Sequence, residues 1–167
     1  LAALADRQRQ LLIIDEHLFE AVQARLLTTA LPKGAVLFLA GTHTHSGPGA
    51  YGDKFLEKIS MGHYDPQVFE TLVETITRAI VEAHANLQLV QSVYGVAPTT
   101  GLVANRSSPQ GLIDNDLIVH AFYPLKTAQP MAVVINFAAH PTALGAWNME
   151  LSADYPGALM QECERRL

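Results

Sequence analysis

The stretch that most directly indicates the fold is "AVLFLAGTHTHSGPG", residues 35–49. Its first six residues, 35–40, are an apolar run of the length of a buried β-strand. Two histidines, His43 and His45, follow one residue apart, and a serine and three turn-forming residues come next. A strand that leads into paired imidazoles and a glycine-rich turn is typical of a ligand-binding loop, because glycine lets the backbone approach a ligand closely.

Apolar runs of strand length recur along the chain, and polar or turn-forming residues separate them. Runs that are apolar throughout, without alternation, are typical of strands buried on both faces, as in parallel sheets. The predicted strands lie at residues 10–14, 35–40, about 88–97, 116–123 and 131–137.

Segments whose apolar residues recur at helical spacing lie in several of the intervals between these runs. It predicts one helix from residue 16 to about residue 30. The clearest helix is predicted to begin at Asp65, an N-cap that a proline follows, and to run to about Asn86. A last helix begins near Asp154. This order of elements predicts an α/β fold, a layered α/β/α arrangement with a mixed or mostly parallel sheet.

The two ends of the chain indicate a fragment of a longer protein. The chain begins "LAALADRQRQ", without a methionine, and stops inside the amphipathic stretch "YPGALMQECERRL". Its 167 residues are enough for one domain with a core, and no internal repeat divides them. We therefore expect residues 1–167 to be part of a single domain that is truncated at both ends.

Composition excludes several classes of function. Eleven Lys and Arg against sixteen Asp and Glu give a net charge of −5, and no basic cluster exceeds Arg165-Arg166, so nucleic acid is excluded as the expected partner. The single cysteine, Cys163, leaves no intramolecular disulfide and no cysteine zinc cage. No apolar stretch approaches the roughly 20 residues needed to span a bilayer. Any metal in this chain must therefore be held by histidine and carboxylate.

His43 and His45 are the first candidates for metal chemistry. On an extended segment, side chains two residues apart point to the same side, so both rings can reach one ion, or one can bind metal while the other faces substrate. Neutral imidazole suits zinc. A bare His-x-His pair in a loop is more often a chance pairing of polar residues, but the glycine-rich turn that follows this pair favours a metal site.

Polar residues at the ends of other predicted elements extend this candidate site. Ligands of open α/β sheets bind at the carboxyl ends of strands, so we expect Asp15 and His140 to converge with the histidine pair. His140 is a candidate second ligand, and Asp15 a candidate hydrogen-bond partner for a ligating imidazole. Arg106, in the loop "NRSS", is either solvated or a clamp for an oxyanion or hydroxyl. Asp154 is primarily a helix cap. The alternative is that it contacts a metal-binding residue without touching the metal itself.

Four motifs in this order resemble those of the neutral/alkaline non-lysosomal ceramidase family. They are "HTHSGPG" at 43–49, "NRS" at 105–107, "NFAAHPT" at 136–142 and "SADYPG" at 152–157. The resemblance implies a zinc-dependent amidase that cleaves the N-acyl bond of ceramide to a fatty acid and a sphingoid base. It implies further that His43 and His140 are zinc ligands, that His45 acts on the substrate as an acid/base group, and that Arg106 lies in the substrate pocket.

The resemblance also implies what lies outside the chain. In the family, a Glu and a Tyr from beyond the second histidine complete the zinc site, so residues 1–167 alone are expected to bind zinc weakly and to catalyse little or nothing. The implied partner is ceramide or a related N-acyl lipid, reached through a peripheral membrane contact, and the implied location is extracellular or periplasmic. The oligomeric state stays open.

Two alternatives to ceramide hydrolysis also remain open. In ceramidases the second histidine is followed by Gly-Thr and later by Gly-Asp-Asn-Lys-Gly, whereas here Pro141-Thr142 and the residues 152–157 take these places. One alternative is therefore a zinc hydrolase for other N-acyl amides or esters. The other is a non-catalytic zinc- or lipid-binding module.

Overall fold

A computed structural model of the chain describes residues 10–32 and 34–167. In chain order its elements are α1 (Glu16–Leu26), α2 (Phe55–Met61), α3 (Pro66–Ala85), β1 (Val90–Pro98), β2 (Asp116–Pro124), β3 (Ala132–Phe137) and α4 (Asp154–Arg166). None of the helices in the described ranges has both the length and the apolar character needed to cross a membrane.

The predicted helices α1 and α3 are confirmed, and side chains begin both of them. The Asp15 carboxylate accepts a hydrogen bond from the Leu18 N–H at 2.7 Å, and Asp65 accepts one from the Gln67 N–H at 2.8 Å. These bonds satisfy N–H groups that have no partner inside the helix. α3 ends at Ala85, as its apolar stripe predicts, whereas α1 ends at Leu26, earlier than predicted.

The core lies in a first compact unit, which comprises the described residues up to Leu87 together with Pro141–Gln161. Helices α1 and α3 face each other there through their apolar stripes. Each fully buried Leu, Val or Phe of such a stripe stabilises the fold by about 1.5–3 kcal/mol. The buried apolar residues of this core are Leu11, Leu18, Val22, Leu26, Tyr51, Met61, Phe69, Leu72, Val73 and Ile76.

Helix α2 is an element that the sequence did not predict. It spans seven residues, too few for an apolar stripe of helical period to stand out. The Glu57 side chain accepts a hydrogen bond from the Lys54 N–H at 2.9 Å and so begins the helix. At its end, Met61 is buried and its carbonyl accepts from the Ala50 N–H at 2.7 Å.

The sheet belongs to a second compact unit, Gln88–His140 with Glu162–Leu167. Its three strands follow the order β1-β2-β3, and both pairs are antiparallel. The three strand positions agree with the prediction, but the mixed or mostly parallel sheet is not found in the described ranges. Parallel neighbours need a crossover of about a dozen residues, whereas the β2–β3 connection covers only residues 125–131. The longer β1–β2 loop is closed by reciprocal hydrogen bonds of 2.8–2.9 Å between Thr99 and Asn115.

The two predicted strands at residues 10–14 and 35–40 are not strands in the structure. In the second of them, Val36 and Phe38 are 94% and 87% exposed, while Leu37 and Leu39 pack against the core. This is the alternation of an extended segment, but a strand also requires a hydrogen-bonded partner along its length. An apolar run shows which face is buried and cannot show whether that partner exists. The structure therefore confirms a chain of helices and strands, and the layered α/β/α arrangement remains a prediction.

Candidate metal centre

The His43–His45 loop follows the extended segment that ends at Gly41. His43 has a φ of +65°, in the left-handed region that residues with a Cβ rarely adopt. The rings of His43 and His45 lie edge to face, with centroids 5.3 Å apart and planes at 88°. Strained backbone of this kind persists where surrounding contacts fix it, which is common at functional sites.

A backbone carbonyl fixes the orientation of the His43 ring. Its Nδ1 lies 2.8 Å from the Leu12 carbonyl oxygen, so Nδ1 carries the proton and donates. In this tautomer the ring's lone pair is on Nε2, as in histidines that ligate metals through Nε2. The sequence suggested Asp15 as the partner of a ligating histidine, and for His43 the structure shows the Leu12 carbonyl in that role.

Tyr51 holds the backbone beside this carbonyl. Its hydroxyl donates to the Ile13 carbonyl at 2.9 Å and accepts from the Ile13 N–H at 3.3 Å. The side chain is fully buried, and burial raises the pKa of the phenol above its ordinary value, so the hydroxyl remains a donor at neutral pH. Tyr51 thus keeps the Leu12–Ile13 segment in place for the imidazole.

The segment around Ser152 holds the other side of the histidine loop. The buried Thr44 hydroxyl donates to the Ser152 carbonyl at 2.9 Å and accepts from the Ser46 N–H at 3.2 Å. The Ser152 N–H donates in turn to the Ser46 carbonyl at 2.8 Å. The Asn148 side-chain amide donates to the Ser46 hydroxyl at 3.0 Å. Backbone and side chains together lock the loop on which the two imidazoles stand.

Close backbone packing explains why the turn after the histidines is rich in glycine. A Cβ on Gly47 would lie 2.2 Å from the Gln10 carbonyl oxygen, and one on Gly49 would lie 2.1 Å from that of Met61. Both distances are far shorter than any real contact of a Cβ, and backbone atoms cannot rotate away. These glycines allow the loop to pack directly on neighbouring backbone.

We expect the Gly47→Ala protein to lose about 1–3 kcal/mol of unfolding free energy, because the added methyl must push the loop away from Gln10. The measurement is urea unfolding of the full-length protein. Gly95→Ala is the matched control, since a Cβ there would meet no described atom within 4 Å. Equal stability of the two variants would show that the loop accommodates the added methyl group, and would contradict the predicted clash with Gln10.

His140 completes a group of three imidazoles. It precedes Pro141, through which the chain re-enters the first compact unit. One nitrogen each of His43, His45 and His140 lies within 4.8 Å of the others, so these three side chains could hold a metal ion. Imidazole donors of this kind suit zinc and other first-row divalent metals. The three histidines that the sequence singled out are therefore brought together.

The Asp15 side chain begins α1. One carboxylate oxygen caps the helix, and the other, Oδ2, is buried and finds no hydrogen-bond partner in the described ranges. Burial raises the pKa of the Asp15 carboxyl, an effect that outweighs the hydrogen bond from Leu18. His43 contacts the Leu12 carbonyl through Nδ1, and the suggested link between Asp15 and a metal ligand stays a prediction.

We expect Asp15→Asn to be at least as stable as the parent at neutral pH, with unchanged zinc affinity. Because the folded-state pKa is raised, the parent keeps its full stability below the ordinary pKa of the carboxyl and loses some as pH rises through the raised one. Asparagine cannot ionise, yet its oxygen can still cap α1. Urea unfolding at neutral and mildly acidic pH should show the variant's advantage shrinking as pH falls. A variant that is weakest at neutral pH would contradict this.

Arg106 lies in the loop between β1 and β2, and its neighbour Asn105 shapes that loop. The Asn105 oxygen accepts from the Ser107 and Ser108 N–H groups, both at 3.0 Å, and its amide donates to the Leu112 carbonyl at 3.0 Å. Arg106 itself is exposed. Its role in a substrate pocket therefore stays a prediction.

Asp154 begins α4, as predicted, but it does more than cap the helix. Its carboxylate accepts from the Tyr155 N–H in the first turn and also from the N–H groups of Ala143 and Leu144, in the loop after His140. The sequence showed the helix start because that signal is local. The contact with the loop ten residues earlier has no local signal.

The fold and the site together define a chain of helices and a three-stranded antiparallel sheet that carries a candidate histidine metal centre. The chain belongs to the neutral/alkaline non-lysosomal ceramidase family, whose N-terminal region matches residues 5–167. The family that the four sequence motifs suggested is thereby confirmed.

Similar proteins agree with this assignment. The chain is 26% identical over 140 residues to the neutral ceramidase of Mycobacterium tuberculosis, an alignment that covers 76% of this chain and 22% of the relative. It is 30% identical over 107 residues to that of Pseudomonas aeruginosa, covering 60% and 16%. A solved structure described as a ceramidase complexed with C2 superposes with a TM-score of 0.75 at 26% identity, covering 85% of this chain and 24% of that one. The chain thus spans about a fifth of its relatives' length.

Proposed function

We propose that this chain forms part of the active site of a zinc-dependent hydrolase that cleaves the N-acyl amide bond of ceramide-like lipids, giving a fatty acid and a sphingoid base. The observation that carries the proposal is the group of three imidazoles, two on the loop at residues 43–49 and one after β3, in a chain of the ceramidase family. Membership of the ceramidase family supports the substrate class. The Nδ1 contact of His43 and the all-imidazole donor set support a metal of the zinc type.

In this proposal His43 and His140 hold the zinc ion, and a Glu and a Tyr beyond residue 167 complete its ligands. When bound, zinc lowers the pKa of a coordinated water from about 15.7 to about 7 and polarises an acyl carbonyl. Residues 1–167 are then part of a single catalytic domain and are inactive alone.

His45 has a different task in the proposed reaction. An amide is cleaved only if its leaving amine is protonated, and an imidazole is the side chain best suited to deliver a proton near neutral pH. The His45 ring stands edge to face with that of His43, with centroids 5.3 Å apart, so it lies beside a proposed zinc ligand. Arg106 orients the substrate by donating hydrogen bonds from its rigid guanidinium fork to an oxyanion or a hydroxyl.

The proposal extends to where the protein meets its substrate. On the likeness to the ceramidase family we place the protein in an extracellular or periplasmic location. Because ceramide is a membrane lipid, we also propose a peripheral membrane contact through which the substrate enters. Fractionation of the producing cells tests the location. Recovery of the protein in the cytosol would contradict it.

A second candidate is a zinc hydrolase for other N-acyl amides or esters. It is favoured by the departure from the ceramidase pattern at Pro141-Thr142 and residues 152–157. The test is a substrate panel for the full-length protein: ceramide with a labelled acyl chain, a labelled N-acyl amino acid and a fatty acyl ester. Release of labelled fatty acid and sphingoid base from ceramide, faster than from the others, supports ceramidase activity. Preference for another substrate would keep the chemistry and discard ceramide, and no hydrolysis by a zinc-loaded protein would favour a binding module.

A further inference from the structure

The turn that begins α4 is built around a buried carboxylate. Asp154 is only 8% exposed, and its φ of +52° lies in the left-handed region, which aspartate and asparagine adopt more often than most other residues with a Cβ but still at some cost. A residue keeps such a conformation only where its surroundings fix it. Here the surroundings are N–H groups: Ala143 and Leu144 donate to the carboxylate at 3.2 and 3.1 Å, and Tyr155 donates at 2.6 Å.

The same turn also holds the histidine loop. Ser152 exchanges two hydrogen bonds with that loop, accepting from the Thr44 hydroxyl at 2.9 Å and donating its N–H to the Ser46 carbonyl at 2.8 Å. The Ser152 hydroxyl accepts from the Asp154 N–H at 3.0 Å, which joins the two sets of contacts. Residues 152–155, which we call the 152–155 turn, therefore contact two separate segments of the chain.

Both of these segments lead directly to a histidine of the metal centre. Thr44 stands between His43 and His45. Ala143 and Leu144 follow His140 after a buried proline, Pro141, whose fixed φ restricts how the chain can turn in between. Moving either segment would move an imidazole.

We propose that Asp154 is a positioning residue of the metal centre. By holding the N–H groups of Ala143 and Leu144 it fixes the segment that follows His140, while Ser152 in the same turn fixes the loop that carries His43 and His45. The proposal deepens the proposed function and rests on it for the identity of the metal. Groups that orient metal ligands without touching the metal commonly matter about 10–100-fold for metal affinity or activity.

Asparagine at position 154 tests the positioning role without changing the shape of the turn. It has the size of aspartate and also tolerates the left-handed region, so the backbone of the turn is kept. It offers one acceptor oxygen instead of two, and its amide group would face a backbone N–H, donor against donor. Asp154→Asn therefore weakens the hold on residues 143–144 without removing the start of α4.

The experiment compares Asp154→Asn with Asp65→Asn in the full-length protein. The control makes the same chemical change at the start of α3, where the carboxylate accepts from the Gln67 N–H at 2.8 Å. Zinc affinity is measured by competition with a chelator, and hydrogen exchange is followed at the amides of Ala143 and Leu144. Ceramide hydrolysis is measured at limiting and at excess zinc.

We expect Asp154→Asn to exchange faster at these amides and to bind zinc about 10–100-fold more weakly. Its activity should fall at limiting zinc and recover at excess zinc, which a general loss of folding would not allow. Asp65→Asn should match the parent in all three measurements. If Asp154→Asn does not fold, Ser152→Ala, which removes the hydroxyl that accepts from the Asp154 N–H, should show the same changes at smaller size.

Zinc affinity equal to that of the parent in Asp154→Asn, or in Ser152→Ala where that variant replaces it, would overturn the proposal. Failure of this proposal can be distinguished from failure of the proposed function. A parent protein that binds zinc but does not hydrolyse ceramide would contradict the substrate, and the affinity comparison would still decide the role of Asp154. A parent that binds no divalent metal would overturn both.

Discussion

Replacing His43 with alanine should remove zinc from the protein and lower ceramide hydrolysis by roughly 10³-fold or more. The His43 Nδ1 lies 2.8 Å from the Leu12 carbonyl oxygen, which orients the ring. This leaves the lone pair of Nε2 to bind the metal. A catalytic metal contributes several kcal/mol of transition-state stabilisation, and about 1.4 kcal/mol corresponds to a tenfold change in rate. Metal analysis and initial rates on the same preparation measure both effects.

The control for this variant is His63→Ala, which removes an exposed imidazole outside the three-histidine group. It should keep the parent's zinc content and rate. The His43→Ala protein should also stay inactive in excess zinc, unlike a variant that only positions a ligand. A His43→Ala protein with full zinc content would show that the ion is held elsewhere, and the assignment of His43 would be wrong.

Replacing His45 with alanine should lower the rate by about 10²–10⁴-fold while zinc stays bound. This is the usual contribution of a positioned general acid or base. The loss should appear mainly in kcat, because protonation of the leaving amine belongs to the transition state and not to substrate binding. The zinc content of the dialysed protein and the separate values of kcat and KM provide the measurement.

The alternative role of His45 gives an opposite result. His45 belongs to the three imidazoles whose nitrogens lie within 4.8 Å of one another, so the same geometry would also suit a third histidine ligand. In that case His45→Ala would lose zinc together with activity, as His43→Ala does. The His43→Ala protein, analysed in parallel, shows the zinc content and the rate that result from the loss of one ligand.

The histidine loop could be found from sequence because its signals are local. Two imidazoles, a serine and a glycine-rich turn stand together within residues 43–49, and the 152–157 motif marks a helix start. What holds the loop could not be found in this way. Thr44 bonds to Ser152 and His43 to Leu12, over separations of 108 and 31 residues, and no pattern in a short window encodes such pairs.

The fold shows the same difference between local features, which the sequence predicts, and long-range contacts, which it does not. α3 follows from Asp65, the proline after it and a long apolar stripe, all of which act within one helix. The parallel sheet was inferred from apolar runs, but strand direction depends on connections, and the reciprocal bonds of Thr99 and Asn115 close an antiparallel pair. Residues 35–40 have strand-like alternation without a ladder, since ladder partners are set by distant parts of a chain.

Removal and return of zinc test the central claim most directly. The full-length protein is assayed with acyl-labelled ceramide as purified, after chelation and dialysis, and after addition of stoichiometric zinc. We predict that release of labelled fatty acid disappears with the metal and returns with it, and that the His43→Ala protein does not recover. Hydrolysis that continues at full rate in a protein shown by analysis to contain no metal would contradict the account.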